Sequence, residues 1–333
     1  MLGLDMAQKD DKKPPVTLLT KTPKVSVIMN CFNGAKYLRE AIDSVYAQTY
    51  DNWEIIFWDN NSPDESAKIA QSYDHRVRYF KGNTTVPLGM ARNFALEQTS
   101  GELVSFLDVD DIWLPTFLEK MVSEITQGGF DVIYSGVIEI DKDGNELRRY
   151  IPGHKTGNLF EALLWQWEIP MQSVLVRKSS LVKGNFKFDD SITASEEYCL
   201  FMQMAVEGKF CSLPIALAKY RLHGNNLTNK AIGKWAEERE YTLNIIRQRH
   251  PFIEDKYYHA FQEAYARAKY YSARYYVLLG DKTKALRELS KTILVNYKYI
   301  LLFGLLLLPT GLWNLAHNSP RFRRLKNLIQ GRI

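Results

Sequence analysis

Leu103-Val104-Ser105-Phe106-Leu107, followed at once by Asp108-Val109-Asp110-Asp111, is the stretch on which the reading of this chain turns. Five mostly apolar residues run into a cluster of carboxylates, the pattern of a buried strand that delivers acids to one edge of a sheet. Asp108 and Asp110, two residues apart at a strand end, can reach one hard divalent cation, Mg²⁺ or Mn²⁺, and such a cation could neutralise a diphosphate. Asp110 and Asp111 could instead cap a helix that begins at Leu114, because aspartate is common before helices.

Two earlier runs end in the same way. Val25 to Met29 leads into Asn30, Phe32, Asn33 and Gly34, and Trp53 to Trp58 leads into Asp59-Asn60-Asn61-Ser62-Pro63-Asp64, a group of turn formers. Between them Tyr37, Leu38, Ala41, Ile42 and Val45 recur at helical spacing, which predicts a helix to about Gln48. A short strand at Val77 to Tyr79, a helix from about Gly89 to Gln98 and a helix at Leu114 to Thr126 extend the alternation. This predicts an α/β sheet with parallel strands and a ligand site at their carboxyl ends. Further on come a strand at Asp131 to Ile140 with a turn at Asp141 to Asn145, an apolar strand at Ser173 to Val176, and a helix starting near Ser195. From about Lys230 the pattern is helical: Phe261 to Tyr275 keep helix spacing, Gly280-Asp281 breaks it, and Ala285 to Ile293 resume it. The hairpin is reminiscent of one tetratricopeptide unit, but such arrays need about three copies. Packing against the sheet domain or a membrane is its expected use.

The chain has 333 residues and a formal charge of +5, with 46% hydrophobic and 24% charged residues, enough for a folded protein of about two domains. The whole surplus lies in Arg321 to Ile333, which holds five basic residues and no acid. The balanced remainder argues against a nucleic-acid binder, which would spread basic charge over its folded face. Ahead of that tail, Tyr299 to Pro320 contains no Asp, Glu, Lys or Arg, and its apolar run stops at Leu308. A segment that lies on or dips into the inner face of the plasma membrane, with its tail on anionic lipid, is expected here. A buried helix with a solvated basic end is the alternative. Cys31, Cys199 and Cys211 suggest neither a disulfide framework nor a zinc site, and the N-terminus shows no apolar signal core. A cytoplasmic location follows as the expectation.

Six short motifs in order then point to a family. They are Val25-Ser26-Val27-Ile28-Met29-Asn30-Cys31-Phe32-Asn33, Gln48-Thr49-Tyr50 with Trp53 to Ser62, Gly89-Met90-Ala91-Arg92-Asn93, Asp108-Val109-Asp110-Asp111, Ser195-Glu196-Glu197-Tyr198, and Tyr220-Arg221-Leu222-His223. Over roughly residues 24 to 228 the chain resembles the family 2 glycosyltransferases with the GT-A fold. The resemblance implies a Rossmann-like, mostly parallel mixed sheet flanked by helices, here followed by an all-helical C-terminal region. The expected layout is a flexible leader at 1–23, the GT-A domain at 24–229, a helical region at 230–298, and a membrane-associating segment with its basic tail at 299–333.

The resemblance also implies roles. Asn30, Phe32, Asp59, Asn60, Arg92 and Asp108 fall at nucleotide-side positions, with Phe32 as the ring that stacks on the base. Asp59-Asn60 stands where the family often has two aspartates, a departure that keeps thymidine and guanosine donors open beside the favoured UDP-sugar. Asp108, Asp110 and His223 fall at positions that meet the metal, Mn²⁺ or Mg²⁺, and the diphosphate. Glu197 falls at the position of the catalytic base, one methylene longer than the usual aspartate. Met171, Gln172 and Glu196 fall on the acceptor side. The implied activity is inverting transfer of a sugar from a nucleotide-sugar to a hydroxyl of a glycan or lipid-linked acceptor, in cell-surface polysaccharide or glycolipid synthesis. A phosphatase of the haloacid-dehalogenase type and a non-enzymatic membrane scaffold are the competing readings. The first would place its Asp-x-Asp on the first strand, and the second would leave the six motifs unexplained.

Overall fold

The computed structural model describes residues 19–223, 232–309 and 311–313. The leader before residue 19 and the basic tail from Arg321 lie outside the described residues. Strands β1 (Val25–Cys31), β2 (Trp53–Asp59), β3 (Val77–Lys81), β4 (Leu103–Phe106), β5 (Ile112–Trp113), β6 (Val132–Ile140), β7 (Glu146–Tyr150), β8 (Val174–Arg177) and β9 (Phe210–Arg221) form one mixed sheet among the described residues. Its order is β3-β2-β1-β4-β8-β6-β9-β5, with β7 paired to the later part of β6 on the edge that β8 uses. The pairs β3–β2, β2–β1 and β1–β4 are parallel, and β8 runs antiparallel between β4 and β6. The parallel half is therefore the half the sequence alternation forecasts, and the fold is the expected mixed α/β sheet with flanking helices.

Helices α1 (Ala35–Tyr46), α2 (Ser66–Ala70), α3 (Leu88–Glu97) and α4 (Phe117–Gly128) connect or flank these strands, followed by α5 (Phe160–Trp165), α6 (Lys178–Lys183) and α7 (Glu196–Ala205). Helix α1 buries Leu38, Ala41, Ile42 and Val45, the apolar positions whose 3.6-residue period announced it. Residues of β1, β2 and β4 are buried on both faces of the sheet, as expected for parallel strands covered on both sides.

Two features depart from the reading of the sequence. Asp111 does not cap a helix: β5 intervenes, α4 starts at Phe117, and the Asp111 carboxylate accepts the Arg221 backbone N–H at 2.9 Å. The twelve-residue strand β9 also went unread, because Pro214 interrupts its pattern and proline cannot donate to a ladder. The fold accommodates it with a register shift beside Gly136, where a Cβ would meet the Tyr150 carbonyl at 2.2 Å.

The C-terminal helices are α8 (Trp235–Arg249), α9 (Tyr258–Leu278), α10 (Lys282–Ser290) and α11 (Tyr297–Leu307). Gly280, at φ +77°, and Asp281, whose side chain accepts the Lys284 N–H, make the break between α9 and α10. Leu243 and Ile246 of α8 and Phe261 and Ala264 of α9 belong to the same apolar core as Phe106, Val174 and Phe201 of the sheet domain. A second apolar cluster joins α9, α10 and α11 through Ala273, Leu289, Leu302 and Leu306. Buried Glu263 ties α9 to α11: it accepts the Lys298 ammonium and the Tyr299 hydroxyl and pairs with Arg267. The apolar run at 299–308 is thus half core. Tyr299, Leu302 and Leu306 are buried, while Ile300, Leu301, Leu307 and Leu308 face outward. Among the described residues no helix is long and apolar enough to cross a membrane.

Candidate active site

A cleft of about 1700 Å³ opens at the carboxyl ends of β1 and β4 and continues along the C-terminal helices. Asn30, Phe32, Asn60, Arg92, Asp108, Asp110, Met171, Gln172, Glu196, Glu197 and His223, the residues singled out in the sequence apart from Asp59, all line it.

Beside the end of β1, Phe32 is 55% exposed, so it is a ring at the mouth of the cleft and not a core residue. Asn60 receives the Val86 N–H on its Oδ1 and donates from Nδ2 to the Val86 carbonyl, which fixes the loop before α3. The amide nitrogen of Asn30 is buried without a hydrogen-bond partner among the described residues. Asp59 is fully buried behind this surface: its carboxylate takes the Ser62 N–H at 2.7 Å and the Tyr79 hydroxyl at 2.6 Å. Asp59 therefore holds the turn that presents Asn60.

The carboxylates come next. Arg92, buried on α3, donates to Glu196 at 2.6 Å and to Asp108 at 3.1 Å, so one guanidinium locks the end of β4 to the start of α7. Such a bidentate bridge fixes both acids at a defined spacing. Asp110 Oδ2 and His223 Nε2 lie 2.8 Å apart. Burial, and after it the charge of Asp108, pushes the Asp110 carboxyl upward, while His223 works against that shift. His223 stacks on Tyr37 with ring centroids 5.5 Å apart, and the Arg221 guanidinium sits 4.5 Å from the Tyr37 centroid. Arg221 reaches Glu40 at 2.6 Å and donates to the Asp110 carbonyl at 3.0 Å. Through these contacts the end of β9 is fastened to the Asp-x-Asp loop.

Glu197 occupies the first turn of α7 and is half-buried. Burial first, and then the charge of Glu196, pushes its carboxyl up to about 8, while Arg92 opposes the shift. The loop before it is held from outside the sheet domain. Glu238 of α8 is buried, and its carboxylate accepts the N–H groups of Thr193 and Ala194 and the hydroxyls of Thr193 and Ser195. Around Glu197, Trp167 meets Tyr198 edge-on with centroids 5.0 Å apart, and Gln172 gives its carbonyl to Trp113 Nε1 at 2.7 Å.

Residues 26–180 match the family model described as Glycosyl transferase family 2. An uncharacterised glycosyltransferase of Rickettsia typhi is 31% identical over 230 residues, which cover 66% of this chain and 70% of that protein. The chain belongs to glycosyl transferase family 2.

This family 2 glycosyltransferase spans 32% and 38% of the length of two longer Rickettsia relatives. It is also similar to the Escherichia coli UDP-Glc:α-D-GlcNAc-diphosphoundecaprenol β-1,3-glucosyltransferase WfgD, at 27% identity over 208 residues, 62% of this chain and 79% of that one. Among solved structures, Staphylococcus aureus TarS residues 1–349 in complex with UDP-GlcNAc superposes with a TM-score of 0.64 at 18% identity, covering 92% of each chain, a likeness of fold.

The glycosyltransferase has further site residues that went unread in its sequence. Tyr37 was read only as one of the apolar positions of α1, and Glu40 sits on its exposed face, where a carboxylate looks like solvated surface. Glu238 and Arg239 sit in a helix whose Glu and Arg content reads as ordinary charge patterning.

Whether the acids fit a divalent cation can be judged from the donor set. Asp110 and His223 converge, and Asp108 keeps one oxygen outside its bond to Arg92, so carboxylate and imidazole donors suited to Mn²⁺ or Mg²⁺ face the cleft. Among the described residues no three such side chains come close enough to hold a metal by themselves. The fit is that of a metal shared with a diphosphate, whose oxygens would complete the shell.

Proposed function

We propose that this glycosyltransferase is an inverting, metal-dependent enzyme that transfers a sugar from a nucleoside diphosphate sugar, UDP-sugar favoured, to a hydroxyl of a lipid-linked or glycan acceptor. One observation carries the reading: in a family 2 chain, Asp108 and Asp110 at the end of a parallel strand and Glu197 on α7 line one cleft, spaced by Arg92. Phe32 stacks on the nucleobase, and Asn30 and Asn60 border it. Asp110 with Asp108 and His223, completed by oxygens of the diphosphate, would hold a divalent cation, which would supply positive charge to the leaving group.

Glu197 takes the proton of the acceptor hydroxyl while that oxygen attacks C1 of the sugar. The bond from C1 to the diphosphate oxygen breaks on the opposite face, and the nucleoside diphosphate leaves with its electron pair. A carboxyl poised near 8 is a stronger base than an ordinary glutamate, which suits a group that must receive this proton. Glu196, fixed by Arg92, keeps the helix start in place, and Met171 and Gln172 border the acceptor. WfgD is named for a lipid diphosphate acceptor, and the outward apolar face of α11 supports a matching location. Ile300, Leu301, Leu307 and Leu308 rest on the inner face of the membrane, with the tail beyond them on anionic lipid.

A thermal-shift comparison of UDP, GDP and their sugars, each with and without Mn²⁺, tests the donor reading. Metal-dependent stabilisation by a UDP compound is expected, because a ligand that binds only the folded state stabilises it by mass action. The absence of a shift with every nucleotide would overturn the reading.

A further inference from the structure

The two ends of the cleft differ in charge. The strand end carries Asp108, Asp110, Glu196 and Glu197, whereas the cleft-lining residues at 233–275 include Lys234, Arg239, Arg267 and Arg274 and no acid among the described residues. Two of these four cations are occupied, and Arg274 lies against the Tyr270 ring. Lys234 donates to the Thr193 hydroxyl at 2.9 Å, and Arg267 pairs with Glu263 and donates to the Trp165 carbonyl at 3.0 Å. Arg239 differs. It is 6% exposed, forms no ion pair with any described carboxylate, and its Nη1 is buried without a hydrogen-bond partner.

Its guanidinium is held between two rings, 3.9 Å from the centroid of Tyr198 and 5.5 Å from that of Tyr271. Ring faces restrain and partly stabilise the cation but accept its N–H groups only weakly, and a buried charge lacking an anion is costly. Tyr198, whose ring carries the cation, is the residue after Glu197 in the first turns of α7. Glu238, the residue before Arg239, grips the loop that leads into Glu197. The position of the guanidinium is thus set by the same helix that sets the base.

We propose that Arg239, in its cradle of Tyr198 and Tyr271, is the binding site for a phosphate or diphosphate group of the acceptor. Guanidinium geometry suits two phosphate oxygens at once, and the surrounding aromatic rings suit a sugar face or an apolar chain beside them. The site selects acceptors that carry a phosphoryl group near the sugar to be extended and disfavours the neutral glycoside of the same sugar. This deepens the transferase reading and rests on its assignment of Glu197 as the base, while phosphate binding itself can be measured without turnover.

The test is calorimetric titration of octyl diphosphate into full-length protein already saturated with UDP and Mg²⁺, with octyl glucoside as the neutral probe. Wild type should bind the diphosphate and not the glucoside. Arg239→Gln should weaken diphosphate binding about 10- to 100-fold, the range for losing hydrogen bonds to a charged group, and Arg239→Lys should recover part of it. Unchanged UDP affinity in Arg239→Gln shows that the variant is folded and that the anion is not the donor's. Equal diphosphate affinity in wild type and Arg239→Gln would overturn the site, as would a loss of UDP binding in that variant, which would give the arginine to the donor. Failure of wild type to bind UDP would count against the donor reading alone; octyl diphosphate titrated without nucleotide then decides Arg239.

Discussion

The sheet-domain end of the cleft and its helical wall are built on opposite principles. Around the strand ends three acids are tied to basic side chains: Arg92 joins Asp108 to Glu196, and His223 meets Asp110. On the helical wall Arg239 lies buried against two rings with no carboxylate partner among the described residues. The first arrangement preorganises groups that must keep their spacing while charge moves, where small displacements are expensive. The second leaves charge to be completed by what binds. Glu238 joins the two, because it sits on the wall and holds the loop that leads into Glu197.

The most damaging blow to the acidic end should be Glu197→Gln, expected to lower kcat about 10²- to 10⁴-fold with donor affinity retained, as for loss of a general base. Near-full transfer by that variant would remove Glu197 from its role. The pH dependence sharpens the point. With the Glu197 carboxyl raised to about 8, kcat/KM of wild type should climb through that region and level off above it, and the glutamine variant should lack the climb. Stability should move the other way. A carboxyl raised in the folded state contributes fully below the ordinary glutamate range, and the contribution is lost as pH rises through its folded value. Glu197→Gln should therefore raise Tm relative to wild type above about pH 8 and leave it unchanged near about pH 4, which melting curves across pH would reveal.

A smaller effect is expected from Glu238→Gln, which keeps the size of the side chain but weakens four hydrogen bonds to the loop 193–195. Misplacement of the base should reduce kcat about 10- to 100-fold with little change in donor KM. If kcat is unaltered, the helical wall does not position the base and the two ends act independently. The smallest effect on chemistry should come from the outward face of α11. Leu301→Glu with Leu308→Glu should cut sedimentation with anionic vesicles about tenfold or more while turnover of a water-soluble acceptor stays near wild type. Undiminished sedimentation would place the membrane contact elsewhere. The buried Tyr299, Leu302 and Leu306 are unsuitable for this test, because changing them would disturb the core shared with α9.

Much of the parallel half of the sheet was legible because each of its strands is a short apolar run that stops at a polar cluster, and the carboxyl ends of parallel strands share one edge. The helices α1 and α3 were legible from spacing. The rest of the sheet was harder to read. Pro214 hid β9, and with it the reason Tyr220-Arg221-Leu222-His223 matters: the strand carries Arg221 and His223 back to the loop of Asp110. Asp111 was misread because a propensity to precede helices is local, whereas its partner, the Arg221 backbone N–H, lies 110 residues away.

What the sequence by itself determined was which candidate groups stand together, since residue type at a strand end or in the first turn of a helix limits the chemistry available there. Only the tertiary structure decided their state. Asp59 turned inward to a tyrosine, Arg92 became a bridge between two acids, and half of the apolar run at 299–308 became core. Burial and charge pairing are set by residues distant in the chain, and they decide whether a carboxylate or a guanidinium is already satisfied or still open to a ligand.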